Sequence, residues 1–269
     1  MIIARLIPKN SSYFNKLHLA SVKIGKYIDS FGLLRLFSLW TLVVAGIVVG
    51  MDTQERFVYW SYQGWGIGIL KVIFISMLYV YILKPNGIWI VGSRILNMNE
   101  IIFSILMSYL FLIFGNIGIG LFLPNLINLI PYSIAFLAGL LVFQFPLILD
   151  EEKGEWNHFE WNDKVKFFSI SLGLMVLSVM IGIFLDDPIM STAAAVSVPF
   201  PLIALIWPSH VRHLQRARFY PLFTFAMFLC VRVPWFFAPL FILFFVVRTI
   251  NYFRYGIAFP SFDVDRPEE

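Results

Sequence analysis

Clustered carboxylates are the first feature of this sequence that could carry chemistry. The polar stretch 150–165 is rich in acidic residues and also contains His158. Carboxylates grouped in this way suit Mg²⁺, a hard ion that binds phosphates while one or two protein oxygens hold it. The pattern therefore predicts Mg²⁺ ligation, with a charged and merely solvated loop as the alternative. The candidate metal ligands are Asp150, Glu151, Glu152 and Glu155.

A basic group at 209–218 is the second candidate for chemistry. His210 and His213 stand three residues apart, which places them on one helical face, but two histidines without a third ligand are a weak metal signal. The arginines of this group predict either a site for phosphate or a lipid headgroup, or a basic loop that only sets topology. The candidate diphosphate ligands are Arg212, Arg216 and Arg218.

Polar residues inside long apolar runs form the third group. A cation in hydrocarbon is costly, so Lys71 is a functional candidate unless its stem extends outwards to water. We predict that Lys71 pairs with Asp186 or Asp187, which lie at a matching depth. Three asparagines either line a polar pocket at the same depth or form hydrogen bonds between helices. They are Asn116, Asn125 and Asn128.

Several common catalytic patterns do not occur in the sequence. It has no Gly-Lys-Ser/Thr phosphate loop, no GxSxG nucleophile motif and no HExxH metal motif. The single cysteine, Cys230, lies in an apolar run and is predicted to pack as a small hydrophobic residue. No basic stripe with interleaved aromatic residues lies outside the apolar runs, which argues against a nucleic-acid partner.

Membrane-spanning helices must position these residues. The 269-residue chain is 59% hydrophobic and 13% charged, whereas a soluble domain is roughly 25% charged. A membrane-spanning helix needs about 20 mostly apolar residues. The sequence therefore predicts an all-α, polytopic membrane bundle of six or seven transmembrane helices with short loops. The predicted spans are 31–50, 64–83, 101–123, 127–149, 167–185, 189–207 and 219–249.

The last apolar stretch, 219–249, is too long for one upright helix and too short for two full ones. Arg232, Pro234 and Trp235 interrupt it, and proline disturbs the hydrogen bonding of a helix. We favour one kinked span, with a re-entrant hairpin as the alternative. In either case the transmembrane bundle covers 31–249, and a C-terminal tail of 250–269 follows.

Basic residues near the spans indicate the orientation. Lysine and arginine are concentrated in 1–30, 84–100, 150–165 and 209–218, which share one side if the first six spans are real. Cytoplasmic loops carry such an excess, so a cytoplasmic N-terminus is predicted. Segment 1–30 has neither the apolar core nor the cleavage site of a signal peptide.

The same N-terminal segment is either a weak amphipathic helix on the membrane surface or a basic topology signal. Its apolar residues fall near one helical face, and its lysines fall towards the other. The apolar residues are Leu17, Ile24, Ile28 and Phe31, and the lysines are Lys16, Lys23 and Lys26.

Two loops of the sequence resemble those of the UbiA-type membrane prenyltransferases. Residues 84–100, KPNGIWIVGSRILNMNE, are similar to the stretch that follows the first aspartate motif of that family. Residues 150–155, DEEKGE, resemble a degenerate form of its second motif, in which acidic residues precede a glycine. The chain departs from the family where LYVYIL stands in place of the first motif, and the stretch between the two loops is two spans short of the nine-span plan.

The resemblance implies a helical bundle in which Mg²⁺ binds a prenyl diphosphate for transfer to an acceptor. Three functions then remain open. The first is a divergent UbiA-like protein, which is either a prenyl- or lipid-transferring enzyme or an inactive relative. The second, ranked nearly level with it, is a noncatalytic membrane subunit or scaffold of a larger complex. The third is a small transporter, with a polar path through Lys71, Asn116 and Gln144. The expected partners are membrane lipid, a prenyl diphosphate or a membrane protein complex.

Overall fold

Apolar helices dominate the computed structural model of this protein, which describes residues 1–51, 64–92, 94–118, 123–145, 147–150, 155–158, 163–258 and 262. Within these ranges, seven helical segments are long and apolar enough to cross a membrane. The predicted all-α membrane bundle is therefore confirmed, and the chain is a multi-pass integral membrane protein. The seven segments are Leu33–Gly50, Trp65–Leu83, Met98–Asn116, Leu126–Phe143, Lys164–Phe184, Pro188–Ile206 and Pro234–Tyr255.

The described part of the chain forms α-helices, short π and 3-10 turns and one small hairpin. The helices are α1 (Ile2–Leu6), α2 (Ser12–Phe31), α3 (Leu33–Gly50), α4 (Trp65–Leu78), α5 (Met98–Asn116), α6 (Leu123–Asn128), α7 (Ile130–Phe143), α8 (Lys164–Phe184), α9 (Pro188–Ser197), α10 (Pro199–Ile206), α11 (Val211–Leu229), α12 (Phe237–Phe241) and α13 (Arg248–Tyr255). The π turns are Tyr79–Leu83 and Ile242–Val247, the 3-10 turn is Pro234–Phe236, and the antiparallel strands are β1 (Leu147–Asp150) and β2 (Glu155–His158).

Helix α3 is the centre of the bundle. Within the protein, 83% of it is buried, whereas only 28% of the most apolar stretch of α8 is buried. Large hydrophobic side chains of the outer helices are exposed, among them Leu106 and Met180. In an aqueous protein this surface would drive aggregation, but lipid covers it in a membrane protein.

Two glycines allow α3 and α5 to pack closely against each other. A Cβ atom on Gly46 would lie 2.0 Å from the carbonyl oxygen of Leu112, and one on Gly115 would lie 2.1 Å from that of Val43. Small residues allow such close approach in membranes, where van der Waals packing rather than hydrophobic burial holds helices together.

The stretch 219–249 is not the single kinked span that we favoured. Helix α11 ends at Leu229, and the next helical segment begins at Pro234. The rings of Phe223 and Phe244 lie 5.4 Å apart across the two arms, so the chain reverses between them. The arms have 19 and 22 residues, which makes this a hairpin of two nearly full-length helices. Pro234 begins the second arm, where its missing amide costs nothing.

Side-chain contacts gather several loops at one end of the bundle, which we call the basic end. The loop after α4 meets the N-terminal helix there, the start of α5 meets the end of α7, and the start of α8 meets the loop before α11. The bonds are Lys84 Nζ to Ser30 O (2.6 Å), Leu96 N to Gln144 Oε1 (2.7 Å) and Lys164 Nζ to Pro208 O (3.5 Å). The assignment of this end to the cytoplasm stays a prediction from charge.

The helix expected in the N-terminal segment is α2, but its apolar residues do not share one environment. Ile28 and Phe31 pack against the core of the bundle, whereas Leu17 and Ile24 are exposed. The predicted single apolar face is thus divided between the protein interior and the surface.

Candidate functional site

A partly enclosed cavity of about 90 Å³ lies inside the bundle between α3, α5, α7 and α11. At about 15 Å³ for a water-sized group, it has room for roughly six such groups. Its wall is mainly apolar, so the space suits part of a slender hydrocarbon chain better than a cluster of water. Typical wall residues are Leu42, Ala45, Leu112, Ala135, Leu140 and Phe225.

A buried arginine lines the cavity towards the basic end. Arg218 is 3% exposed and is the one charged residue among the described residues of the wall. Its guanidinium carbon lies 5.3 Å from the ring centre of Phe143 and 4.9 Å from that of Phe219. Aromatic faces attract a cation and offset part of the cost of burying it.

Two features of the sequence hold this arginine and its aromatic partner in place. Arg218 lies two residues beyond Arg216, so on helix α11 it points to nearly the opposite side. The ring of Phe143 fits against Gly92, where a Cβ atom would lie 1.7 Å from the ring. Gly92 also has a φ of 75°, in the left-handed region that favours glycine. The 84–100 loop therefore contributes to the wall of the site.

The hydroxyl groups of the wall already have partners within the protein. Ser38 Oγ donates to Arg35 O at 2.7 Å and accepts from Trp89 Nε1 at 3.2 Å. Thr41 Oγ1 donates to Phe37 O at 2.9 Å. The feature that sets one end of the cavity apart is thus the positive charge of Arg218, not a row of hydroxyls.

The opposite end of the cavity is bounded by Tyr132. Its hydroxyl donates to Asp187 Oδ2 at 2.8 Å, and Asp187 Oδ1 accepts from Met190 N at 2.9 Å as the N-cap of α9. Burial raises the pKa of the Asp187 carboxyl above its usual range, against the opposing effects of these two hydrogen bonds and of the Arg232 charge. A second, more polar cavity of about 80 Å³ adjoins Asp187, with Asp186 and Arg232 in its wall.

Lys71 has a structural role that differs from the predicted one, whereas Asn116 has one of its two predicted roles. Lys71 Nζ donates to the carbonyl oxygens of Gly115 and Ile117 at 2.5 Å each, so the predicted pairing with Asp186 or Asp187 is wrong. The last carbonyls of a helix lack partners within it and attract cations, which explains the contact. Asn116 Nδ2 donates to Gly46 O at 3.4 Å, which is the interhelical role.

The three predicted diphosphate ligands do not lie together. Arg212 and Arg216, four residues apart, share one exposed face of α11, while Arg218 is buried on another. Diphosphate binding by these arginines stays a prediction, and the structure separates them between two faces of one helix. Only Arg218 lines the cavity.

The acidic stretch is partly a hairpin. In its register Asp150 lies opposite Glu155, and β2 contacts α11, the helix that carries Arg218. Glu151 and Glu152 fall outside the described residues. Among the described residues, no group of three or more histidine, cysteine or acidic side chains is arranged to hold a metal. The Mg²⁺ site at Asp150–Glu155 stays a prediction.

Comparison with known proteins identifies no family for this chain. No family model matches it, and no curated protein and no solved structure is significantly similar to it. The UbiA resemblance therefore stays a prediction from 84–100 and 150–155, and the function has to be inferred from the cavity.

Sequence reasoning did not find the cavity or the Tyr132–Asp187 bond. The cavity wall consists of residues that are ordinary in any membrane span, so composition does not distinguish it. One signal was available: on α7 the small residues Ala135 and Gly139 stand four apart, on the face that also carries Tyr132 and Phe143.

Proposed function

We propose that this protein binds an amphiphilic lipid with an anionic phosphate headgroup inside its bundle. The part of the hydrocarbon chain next to the headgroup occupies the cavity between α3, α5, α7 and α11, and the headgroup pairs with Arg218. The observation that carries this proposal is a single buried guanidinium at one end of an otherwise apolar cavity.

Electrostatics favour an anionic headgroup at Arg218. A cation within a membrane protein is costly, and its usual partners are opposite charges or polar groups that mark a substrate site. Guanidinium binds phosphate through paired, charge-assisted hydrogen bonds in a fixed geometry. Phe143 and Phe219 hold the group in place, so it is already oriented when the lipid arrives.

The apolar wall favours a chain that continues from this headgroup towards Tyr132. Each buried methylene contributes about 0.8 kcal/mol relative to water, although a chain that comes from the bilayer gains less. The wall is rich in aromatic residues, including Phe136, Phe143 and Phe225. An unsaturated prenyl chain packs well against such rings, and this agrees with the resemblance of 84–100 and 150–155 to proteins that use prenyl diphosphates.

Mg²⁺ belongs to this proposal as a partner of the diphosphate. The predicted ligands Asp150 and Glu155 lie on a hairpin whose second strand contacts α11, the helix that carries Arg218. We propose binding rather than transfer, because LYVYIL replaces the first aspartate motif on which the chemistry of that family depends.

Binding of geranylgeranyl diphosphate to the purified protein, with Mg²⁺ present, tests the proposal. Arg218→Gln should weaken binding by about 10- to 100-fold, since a hydrogen bond to a charged group contributes about 1.5–3 kcal/mol. Arg216→Gln is the matched control, because the same change falls on an exposed face of the same helix. Geranylgeraniol, which lacks the phosphates, should bind both variants equally.

Two results would contradict the proposal. One is equal affinity of the Arg218→Gln and Arg216→Gln proteins for the diphosphate. The other is an unchanged affinity after Ala135→Phe, which fills the cavity wall and should exclude the chain. A folded-state check by thermal melting in detergent accompanies each variant.

A further inference from the structure

Helix α2 has one face that packs on the rest of the protein. Phe14, Ser21 and Gly25 are buried on this face. Asp29 forms an ion pair with Arg254 at 2.7 Å, and a Cβ atom on Gly25 would lie 2.7 Å from Nη1 of the same arginine. These contacts fix α2 against α13.

A second face of α2 is an exposed apolar stripe. Its residues follow a spacing of four and three, so they line up along one side of the helix. The larger ones are 40–69% exposed: Tyr13 68%, Leu17 40%, Ile24 47% and Tyr27 69%, with the exposed Ala20 between them. No described part of the chain covers this stripe.

A row of lysines borders the stripe. Lys16, Lys23 and Lys26 are all exposed. In residues 1–31 the one acidic residue is Asp29, which is already paired with Arg254. The free surface of α2 is therefore apolar along one side and positively charged along the next.

The position of α2 brings this surface to the edge of the membrane. Gly32, in a left-handed conformation, joins α2 directly to the span α3. Lys84 Nζ, at the end of the next span, donates to Ser30 O at 2.6 Å. The helix thus lies beside the ends of the spans, at the basic end of the bundle.

We propose that this surface of α2, which we call the lipid face, docks on the anionic headgroup layer of the bilayer that holds the bundle. Tyr13, Leu17, Ile24 and Tyr27 enter the region between headgroups and acyl chains, where tyrosine is enriched. The lysines extend to the phosphates, with their stems along the apolar stripe. An acidic soluble protein could pair with the lysines, but it would not cover a narrow apolar stripe that lies beside the ends of the spans.

An environment-sensitive label on single cysteines tests the lipid face in the full-length, reconstituted protein. The background is Cys230→Ala, since Cys230 is the one native cysteine. Leu17→Cys reports on the lipid face. Leu19→Cys is the matched control, because Leu19 is also an exposed leucine of α2, but it is 76% exposed and lies on the lysine side. The inference does not depend on the cavity, so lipid binding at Arg218 can fail without affecting it.

In vesicles of equal parts phosphatidylcholine and phosphatidylglycerol, the label at 17 should shift to the blue and be quenched by lipid-borne quenchers, while the label at 19 stays in water. Each lysine near an anionic surface favours association about fivefold, so Lys16→Gln, Lys23→Gln and Lys26→Gln together should weaken docking about a hundredfold. Equal water exposure of labels 17 and 19 in these vesicles would overturn the proposal. The proposal would also be overturned if the label at 17 were shielded from water only after an acidic soluble protein is added.

Discussion

The two charged residues near the ends of the cavity are held in different ways. Arg218 lies against the rings of Phe143 and Phe219. Asp187 is held by two hydrogen bonds, from Tyr132 Oη and Met190 N. Removing a charge partly from water costs free energy. A protein that retains such a charge in one fixed geometry therefore uses it for recognition or for folding. For Arg218 we infer recognition because it lines the cavity, and for Asp187 we infer a role in stability because its two bonds join α7 to the start of α9.

Asp187→Asn should flatten the pH dependence of thermal stability. The pKa of this carboxyl is raised on folding, so the folded protein keeps a proton that the unfolded chain releases once the pH exceeds about 4. The stabilisation is therefore complete below that pH and is lost as the pH rises through the raised pKa. Asparagine does not titrate, yet still caps α9.

Melting curves of the wild type and the variant in detergent, over a series of pH values, check this prediction. Asp187→Ala is the control, because it removes the titration and also the cap, at a cost of about 1 kcal/mol at every pH. A pH slope in the Asp187→Asn protein as steep as in the wild type would assign the effect to another group.

At the scale of elements, the α3–α5 contact combines close packing with hydrogen bonds between helices. Gly46 and Gly115 bring the backbones together. Asn116 then bonds to Gly46 O, and Lys71 of α4 bonds to the carbonyl oxygens at the end of α5. Lys71 and Asn116 therefore each join two helices here.

Gly46→Ala should destabilise the protein by about 1–3 kcal/mol, the cost of overpacking a well-packed core. The new Cβ atom would meet the carbonyl oxygen of Leu112 in the backbone, which cannot rotate away as a side chain would. Gly173→Ala on α8 is the matched control, since a Cβ atom there meets nothing within 4 Å. Thermal melting in detergent checks both, and equal melting temperatures of the two variants would refute the contact.

The helices were predicted from hydropathy, which reports how apolar each stretch of the sequence is. It located the apolar runs such as 31–50 and 64–83 to within a few residues. It missed α11 as a separate helix, because Arg212, Arg216 and Arg218 lower the hydropathy of its first half, and only 219–229 looked apolar. The cavity escaped prediction because hydropathy does not tell which face of α7 or α11 points inwards.

At the scale of the whole molecule, the described residues form a bundle with a central helix, an internal cavity and two chemically different ends. The basic end carries α2, the 84–100 loop and the acidic hairpin, close to the end of the cavity that holds Arg218. The other end carries Asp187 and Arg232 in the wall of a smaller polar cavity, and Tyr132 donates to Asp187. An amphiphile bound with its headgroup towards the basic end matches this arrangement.

Photochemical labelling tests this central claim most directly. The probe is a geranylgeranyl diphosphate analogue with a photoreactive group on the part of its chain next to the diphosphate. It is added with Mg²⁺ to the reconstituted protein, and the labelled residues are identified by peptide mass spectrometry. We predict labels on the cavity wall, at residues such as Ala45, Ala135 or Leu229, that excess unlabelled diphosphate removes and Arg218→Gln weakens. Labels confined to lipid-exposed residues such as Leu106 and Phe184, unaffected by competitor, would contradict an internal lipid site.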